Sequence, residues 1–255
     1  ICHCLVGSEM CIRDRPLGVV GIAIGIVLLP ELSRRIASND ESGARSAFNN
    51  AFTTSMALTI PATIALLIIP LPLIAALFQH GQTTSNDAAA MALATSIYAL
   101  GLPAFVLQKV YQPIYFSRGD TKTPFRFAVL SMIINSVIAF GFMPLYGWIA
   151  APIATTVSAW AMILLLIMGT KKYSTSSKLS KLSKSKFVLI TLSSLVMGLF
   201  LWVADYLLRK EIFSLIEKIS FAAFLVLIGA LIYTVSANFM GAFSLKEIRN
   251  SIKRN

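Results

Sequence analysis

The chain has 255 residues, of which 56% are hydrophobic and 13% charged, and its formal net charge is +11. Its mean hydropathy is +0.76. A soluble domain usually carries about 25% charged residues, so this composition excludes an ordinary soluble protein. Long apolar runs without polar–apolar alternation exclude a β-barrel and predict an all-α, polytopic membrane helix bundle of about seven spans.

The excess of basic residues fits two kinds of partner, a nucleic acid or a membrane surface. The lysines and arginines lie mostly in short segments between the apolar runs, where the positive-inside bias of membrane proteins places them. We therefore predict membrane lipids as a partner and no nucleic acid.

Signals for a metal site or an enzyme are weak in this sequence. The three cysteines are Cys2, Cys4 and Cys11, and they offer neither the spacing of a zinc site nor a disulfide framework. The sequence has no HExxH, GxSxG or P-loop motif, and its spans carry no paired carboxylates. We expect no catalytic residue, no metal and no cofactor.

Residues 1–15 do not match the apolar pattern that follows them. They lack the basic start, the apolar core and the small-residue cleavage site of a signal peptide. Their string CLVGSEMCIRDR is similar to translated adapter sequence from assembled DNA fragments. We expect this stretch to be a non-native leader and the natural protein to begin further upstream.

Five apolar spans are predicted within residues 16–170. The second is too long for one straight crossing, and we expect Pro61, Pro70 and Pro72 to break it. His80 follows this span and is interpreted as a plain loop residue. The five spans cover residues 16–32, 47–78, 86–116, 124–144 and 148–168.

A lysine- and serine-rich stretch at 171–186 separates these spans from the rest of the chain. It has six lysines and no acid, which is typical of a mobile linker at an anionic membrane surface. Beyond it we predict a peripheral C-terminal helix pair within 187–240, with spans at 187–206 and 219–240, and a basic tail at 241–255.

The distribution of basic residues also predicts an orientation. Numbered along the chain, the odd loops are the cationic ones, with Arg34 and Arg35 in the first and Arg118 and Lys122 in the third. Cationic loops of membrane proteins lie in the cytoplasm. We therefore expect these loops, the 171–186 linker and the C-terminus to be cytoplasmic.

Lys109 is the sharpest functional candidate, because it is a cation inside an apolar span. It lies roughly 12 Å of helix before Ser117 at 1.5 Å per residue. Such a residue usually faces a bundle interior or a water-filled cavity and is functional. The alternative is a lysine whose long stem reaches the cytoplasmic surface. An anionic substrate group would give this ammonium a partner.

Three other polar residues, in the third and fourth spans, are further candidates. Gln108 and Gln112 are four residues apart beside Lys109, which is weak evidence for a polar cavity lining. Asn135 lies in the middle of the fourth span, where such a residue more often joins helices than contacts substrate. We keep all three as candidate lining residues.

The loop after the third span allows two interpretations. Its cations Arg118 and Lys122, with the neighbouring glycine and threonines, could bind a phosphate. It could instead be a cytoplasmic turn in which Asp120 and the threonines cap the helix that begins at Pro124. We favour the turn.

Three stretches of the chain resemble the MurJ (MviN) family, whose members are lipid II flippases of the MOP exporter superfamily. They are residues 16–33, 77–81 and, most specifically, 115–124, which reads YFSRGDTKTP. The resemblance covers residues 16–170. It implies a bacterial inner-membrane transporter with two lobes and a C-terminal helix pair. A central cationic cavity would take the pyrophosphate and sugars of lipid II, and a groove beside the last two helices would take its undecaprenyl tail.

By this resemblance the chain corresponds to the second lobe and the helix pair, and its missing partner is the first lobe. Lys109 falls where the family has a lysine in the corresponding helix. One departure concerns the charged residues that the family places before the motif at Pro16. Asp14 and Arg15 adjoin Pro16 directly instead of lying several residues earlier, so they receive no cavity role.

The predicted function is translocation of lipid II by alternating access around a midplane site, as part of the full transporter. Two alternatives remain. The first is another MOP-type transporter, either a polysaccharide-repeat flippase or a drug/cation antiporter. An antiporter would need membrane-embedded carboxylates, and Asp205 is at a span boundary. The second is a non-transporting scaffold for cell-wall enzymes, which would tolerate substitution of Lys109 and depend on the 171–186 linker.

Overall fold

The computed structural model describes residues 23–79, 83–173, 179–208 and 214–241. Within these ranges the chain forms eight α-helices and two short 3₁₀ turns, without any strand. The predicted leader, His80 and the tail after residue 241 lie outside the described residues. The helices are α1 (Ala23–Ala37), α2 (Glu41–Ile68), α3 (Pro70–Phe78), α4 (Ser85–Phe116), α5 (Lys122–Tyr146), α6 (Ala150–Gly169), α7 (Lys181–Leu208) and α8 (Leu215–Phe239).

Five helical segments in the described ranges are long and apolar enough to cross a membrane. The predicted all-α membrane bundle is therefore confirmed, whereas the number of about seven spans stays a prediction. The five segments are Glu41–Ile68, Ser85–Phe116, Lys122–Tyr173, Lys181–Leu208 and Ile216–Phe239.

The long second span is broken at one of its three prolines. Ile69 has a non-helical backbone (φ −118°, ψ 44°) and Pro70 begins α3, a position where its missing N–H is not needed. The expected breaks at Pro61 and Pro72 are wrong, because α2 continues through Pro61 and α3 through Pro72. In α2 the hydroxyl of Tyr233 donates to the carbonyl of Ala57 at 2.7 Å. That carbonyl is the one deprived of its helical donor by Pro61.

Helix α4 lies at the centre of the bundle and packs against α1, α2, α3 and α6. Thr84 and Asp87 form a capping box at its start, which satisfies backbone donors there. On one side the ring of Tyr111 meets Phe48 of α2 edge-on, with centroids 5.1 Å apart. On another side the buried hydroxyl of Tyr115 donates to the carbonyl of Leu166 in α6 at 2.6 Å. These contacts fix α4 between α2 and α6.

Helices α5 and α6 form an antiparallel hairpin that turns at Gly147. Its φ of 55° falls in the left-handed region that favours glycine. The hydroxyl of Ser131 donates to the carbonyl of Ser158 at 2.9 Å and joins the two helices. Of the α5 residues, Pro124 is the buried one. The other face of α5 is therefore exposed and apolar, as expected of a helix that contacts lipid tails.

Helices α7 and α8 pack against α2 and α3. Gly198 allows a close approach, since a Cβ there would lie 2.6 Å from Ile64 and 2.7 Å from Ile68. Helix α7 begins at Lys181, earlier than the predicted span at 187, because Ser180 accepts the N–H of Ser183 as a cap. Within the stretch predicted as a mobile linker, 171–173 lie in a 3₁₀ turn and 181–186 in α7, while 174–178 lie outside the described residues.

Candidate functional site

Lys109 lies in the last third of α4, roughly 10 Å of helix before Phe116 at 1.5 Å per residue. Phe105, Lys109, Gln112 and Phe116 share one side of α4, since they are spaced by four, three and four residues. The first three are half-buried and Phe116 is 39% exposed. We call these four residues the Lys109 stripe. It is open to the outside of the described bundle.

The ammonium of Lys109 has no carboxylate and no hydrogen-bond acceptor as a partner among the described residues. The carboxamide of Gln112, one turn further on, is likewise without a partner in this part of the chain. A cation inside a membrane span is costly unless a counter-charge or water reaches it. The stripe therefore offers a positive charge and an amide to a ligand that carries an anion.

Gln108 and Asn135 are placed differently from Lys109. The amide of Gln108 donates to the carbonyl of Ala159 in α6 at 3.1 Å. The amide of Asn135 in α5 donates to the hydroxyl of the adjacent Ser158 at 3.1 Å and to that of Thr155 at 3.4 Å. Both side chains meet α6 at the same level and join helices there. Of the four candidate lining residues, the structure thus brings together Lys109 and Gln112 on one side and Gln108 and Asn135 on another.

Arg118, at the end of α4, is held by partners from other elements. One of its terminal nitrogens lies 3.0 Å and 3.2 Å from the two carboxylate oxygens of Glu41, at the start of α2. The other donates to the carbonyl of Ile114 at 3.2 Å. Its guanidinium also lies 4.8 Å from the ring centre of Tyr173. With a side chain 13% exposed, Arg118 joins the ends of α2, α4 and α6.

The carboxylate of Asp120 accepts hydrogen bonds from three residues. Its Oδ1 accepts the backbone N–H of Thr123 at 3.0 Å, which caps the start of α5. Its Oδ2 accepts from the Lys172 ammonium at 2.8 Å and from the Tyr173 hydroxyl at 2.9 Å. The hydrogen bond from Lys172, followed by that from Thr123, holds the pKa of this carboxyl well below its usual range.

The remaining two loop candidates have no comparable role. Lys122 is exposed, and Pro124 is buried in the first turn of α5. Because Arg118 already pairs with Glu41, a phosphate at this loop would find only Lys122 among the cations of 117–124. The geometry of the loop is that of a capped turn joining four helix ends.

Several partners in this region were not identified from the sequence. Glu41 lies 77 residues from Arg118, and Lys172 lies 52 from Asp120, so no local pattern connects them. Asp205, placed at a span boundary from sequence, lies near the end of α7 and is 7% exposed. Among the described residues no group of His, Cys, Asp and Glu could hold a metal.

An apolar groove of about 680 Å³ runs between α3 and α8. It lies beside α8, the second helix of the C-terminal pair. Its walls carry aliphatic side chains, among them Leu73, Ala76, Leu77, Ile219, Ala222 and Val226.

The comparisons with known proteins agree with this architecture. The family described as "Lipid II flippase MurJ" matches residues 11–245, which includes the end of the predicted leader. A probable lipid II flippase MurJ of Rhizobium tropici is 30% identical over 246 residues, 95% of this chain and 46% of the relative. One of Rickettsia prowazekii is 33% identical over 244 residues, 93% of this chain and 46% of the relative. The chain thus spans about half the length of the curated relatives it matches.

A solved structure shares the fold. It is described as "Lipid II flippase MurJ, inward closed conformation" and superposes with a TM-score of 0.74 at 24% sequence identity. The match covers 91% of this chain and 46% of that one. Because the family match extends over most of the residues, the chain belongs to the lipid II flippase MurJ family, as the resemblance of its loop motif predicted.

Proposed function

We propose that the chain forms the second lobe and the C-terminal helix pair of a full-length lipid II flippase of the bacterial inner membrane. The observation that carries the proposal is Lys109, an ammonium without a partner among the described residues on the open side of α4, in a chain of this family. The relatives' names supply the substrate class.

In this proposal Lys109 binds the pyrophosphate of lipid II. An ammonium that lacks a protein counter-ion gains most from an anion when little water competes. Gln112 lies one turn away on the same stripe and donates its amide to a phosphate or sugar oxygen. Gln108 and Asn135 keep α4, α5 and α6 in register, so that the stripe moves with the lobe.

The partner of this lobe is the first lobe of the same transporter. The chain spans about half the length of its relatives, and two-repeat transporters bind substrate between their halves. In this proposal the Lys109 stripe faces the first lobe across a central cavity, and rocking of the two lobes exposes the cavity to each side of the membrane in turn.

The orientation follows from where the cations and aromatic rings lie. The basic ends of the helices meet on one side, through the contacts Arg118–Glu41, Lys172–Asp120 and Ser180–Asn49. Exposed aromatic side chains, which favour membrane interfaces, occupy the other side at Tyr146, Trp148, Trp202 and Tyr206. In this proposal the basic side is cytoplasmic. Helix α8 runs antiparallel to α7, since Met240 lies beside Ser193 in the middle of α7. In this proposal the C-terminus is cytoplasmic as well.

Substitution of Lys109 tests the function. In the full-length flippase, Lys109→Ala is expected to abolish complementation of a flippase-deficient strain while the membrane level of the protein stays normal, because the pyrophosphate loses its cation. The matched control is the double variant Lys181→Ala/Lys184→Ala, which removes two exposed lysines from the start of α7 and should retain complementation.

The two variants also separate the proposal from a scaffold for cell-wall enzymes. A scaffold predicts the reverse pattern, with normal growth for Lys109→Ala and failure for the lysine pair of α7. Full activity of Lys109→Ala would contradict the proposed function.

A further inference from the structure

Helix α4 contains two internal prolines, Pro103 and Pro113. A proline within a helix has no N–H, so the carbonyl four residues earlier loses its helical donor. For Pro113 that carbonyl belongs to Lys109. The residue that presents the ammonium therefore also presents a backbone acceptor that the helix leaves open.

Helix α2 shows how this protein satisfies such a carbonyl where it can. Pro61 leaves the carbonyl of Ala57 open, and the hydroxyl of Tyr233 from α8 donates to it at 2.7 Å. No side chain in the described part of the chain donates to the carbonyl of Lys109. A backbone acceptor without a donor is unfavourable in a membrane, which leaves this position to water or to a ligand.

The carbonyl freed by Pro103 differs in its surroundings. It belongs to Ala99, which is 2% exposed and lies in a buried apolar cluster with Leu66 and Leu102. A ligand does not reach that position. Lys109 and Gln112, in contrast, are half-buried on the open stripe. The freed carbonyl at Lys109 thus lies beside two half-buried side chains and the buried ring of Pro113, whereas the one at Ala99 is enclosed.

We propose that Pro113 makes Lys109 a two-part binding site for a glycosylated pyrophosphate. The ammonium binds the pyrophosphate, and the backbone carbonyl accepts a hydrogen bond from a hydroxyl or amide N–H of the attached sugar. An ionised phosphate has only acceptors, so it gains nothing from the carbonyl, whereas a sugar supplies the donor. The site therefore discriminates the sugar-bearing lipid from the bare lipid pyrophosphate. This inference depends on the proposed function.

The test compares two lipids on the purified full-length flippase in nanodiscs. Lipid II carries both the pyrophosphate and the sugars, and undecaprenyl pyrophosphate carries the pyrophosphate alone. Pro113→Ala supplies the missing N–H and closes the helical hydrogen bond to Lys109. We expect it to weaken binding of lipid II by about five- to tenfold, the worth of one hydrogen bond, and to leave undecaprenyl pyrophosphate unchanged.

Three further variants complete the design. Pro103→Ala removes the other proline of the same helix and should change neither affinity. Lys109→Ala should weaken both lipids. Pro113→Ser restores the same backbone N–H with a different small side chain, and it should reproduce the Pro113→Ala result.

Equal weakening of both lipids by Pro113→Ala would overturn the inference, since the proline would then act by bending α4. Unchanged binding of both lipids would overturn it as well. Failure of the proposed function has a different signature, because wild-type protein would then bind neither lipid or Lys109→Ala would bind both normally. In that case the carbonyl site fails with it.

Discussion

At the scale of single residues, Asp120 contributes more than its position in a loop indicates. It caps α5 and accepts from Lys172 and Tyr173, and its folded pKa lies below the value of about 3.9 for an unfolded aspartate. A carboxyl with a depressed folded pKa stabilises the folded state above the unfolded pKa. This contribution is lost as the pH falls from about 4 through the folded pKa.

Asp120→Asn should therefore destabilise the protein at pH 7 and should lower its stability less at acidic pH. The asparagine keeps the Oδ1 acceptor for Thr123 but loses the charge that holds Lys172. We expect the melting temperature in detergent at pH 7 to fall by about 2–4 °C, the effect of one partly exposed ion pair. The difference between the two proteins should begin to shrink as the pH falls below about 4 and should vanish as the pH falls through the folded pKa. An undiminished difference at pH 3 would show that the charge is not responsible.

The sequence identified Lys109 because depth within an apolar run can be counted along the chain. It did not reveal that Gln108, the adjacent residue, faces α6 instead, since that depends on which helix packs on which side of α4. Arg118 and Glu41 could not be paired for the same reason, being 77 residues apart. Local patterns predict caps and depth, whereas partners across the bundle require the fold.

At the scale of helices, most spans were predictable from apolar length, but prolines acted in two ways. Pro70 begins a new helix, while Pro61 lies inside one because a hydroxyl 176 residues from Ala57 replaces the lost donor. No local signal distinguishes the two. The early start of α7 was missed because its first turn is polar and only the cap at Ser180 marks it.

The Tyr233 hydrogen bond can be tested by a double-mutant cycle with Pro61. Tyr233→Phe removes the hydroxyl and leaves the carbonyl of Ala57 without a donor. We expect it to lower the free energy of unfolding by about 1–2 kcal/mol. Pro61→Ala supplies an N–H to the same carbonyl.

In the Pro61→Ala background, Tyr233→Phe should therefore cost little, as measured by thermal unfolding of the purified protein. An equal cost of Tyr233→Phe in both backgrounds would show that the hydroxyl does not serve this carbonyl.

At the scale of the whole molecule, the distribution of charge gives a testable topology. With Cys2, Cys4 and Cys11 replaced, Lys184→Cys and Tyr206→Cys place single thiols near opposite ends of α7. In intact spheroplasts, a membrane-impermeant maleimide should label Tyr206→Cys and spare Lys184→Cys until the cells are lysed. Labelling of Lys184→Cys in intact spheroplasts would reverse the proposed orientation.

The bond between Tyr233 and Ala57 has a consequence for how the groove between α3 and α8 can widen. The α8 residues that line the groove belong to its first half, from Ile219 to Leu227, and Tyr233 follows them. Moving all of α8 away from α2 would break this hydrogen bond and leave the Ala57 carbonyl without a donor in the membrane. A rotation of α8 about Tyr233 would move its first half away from α3 and open the groove, while the hydrogen bond from Tyr233 to Ala57 stays formed. The groove would then be open only at the end formed by the first half of α8, and an apolar chain could enter it only there.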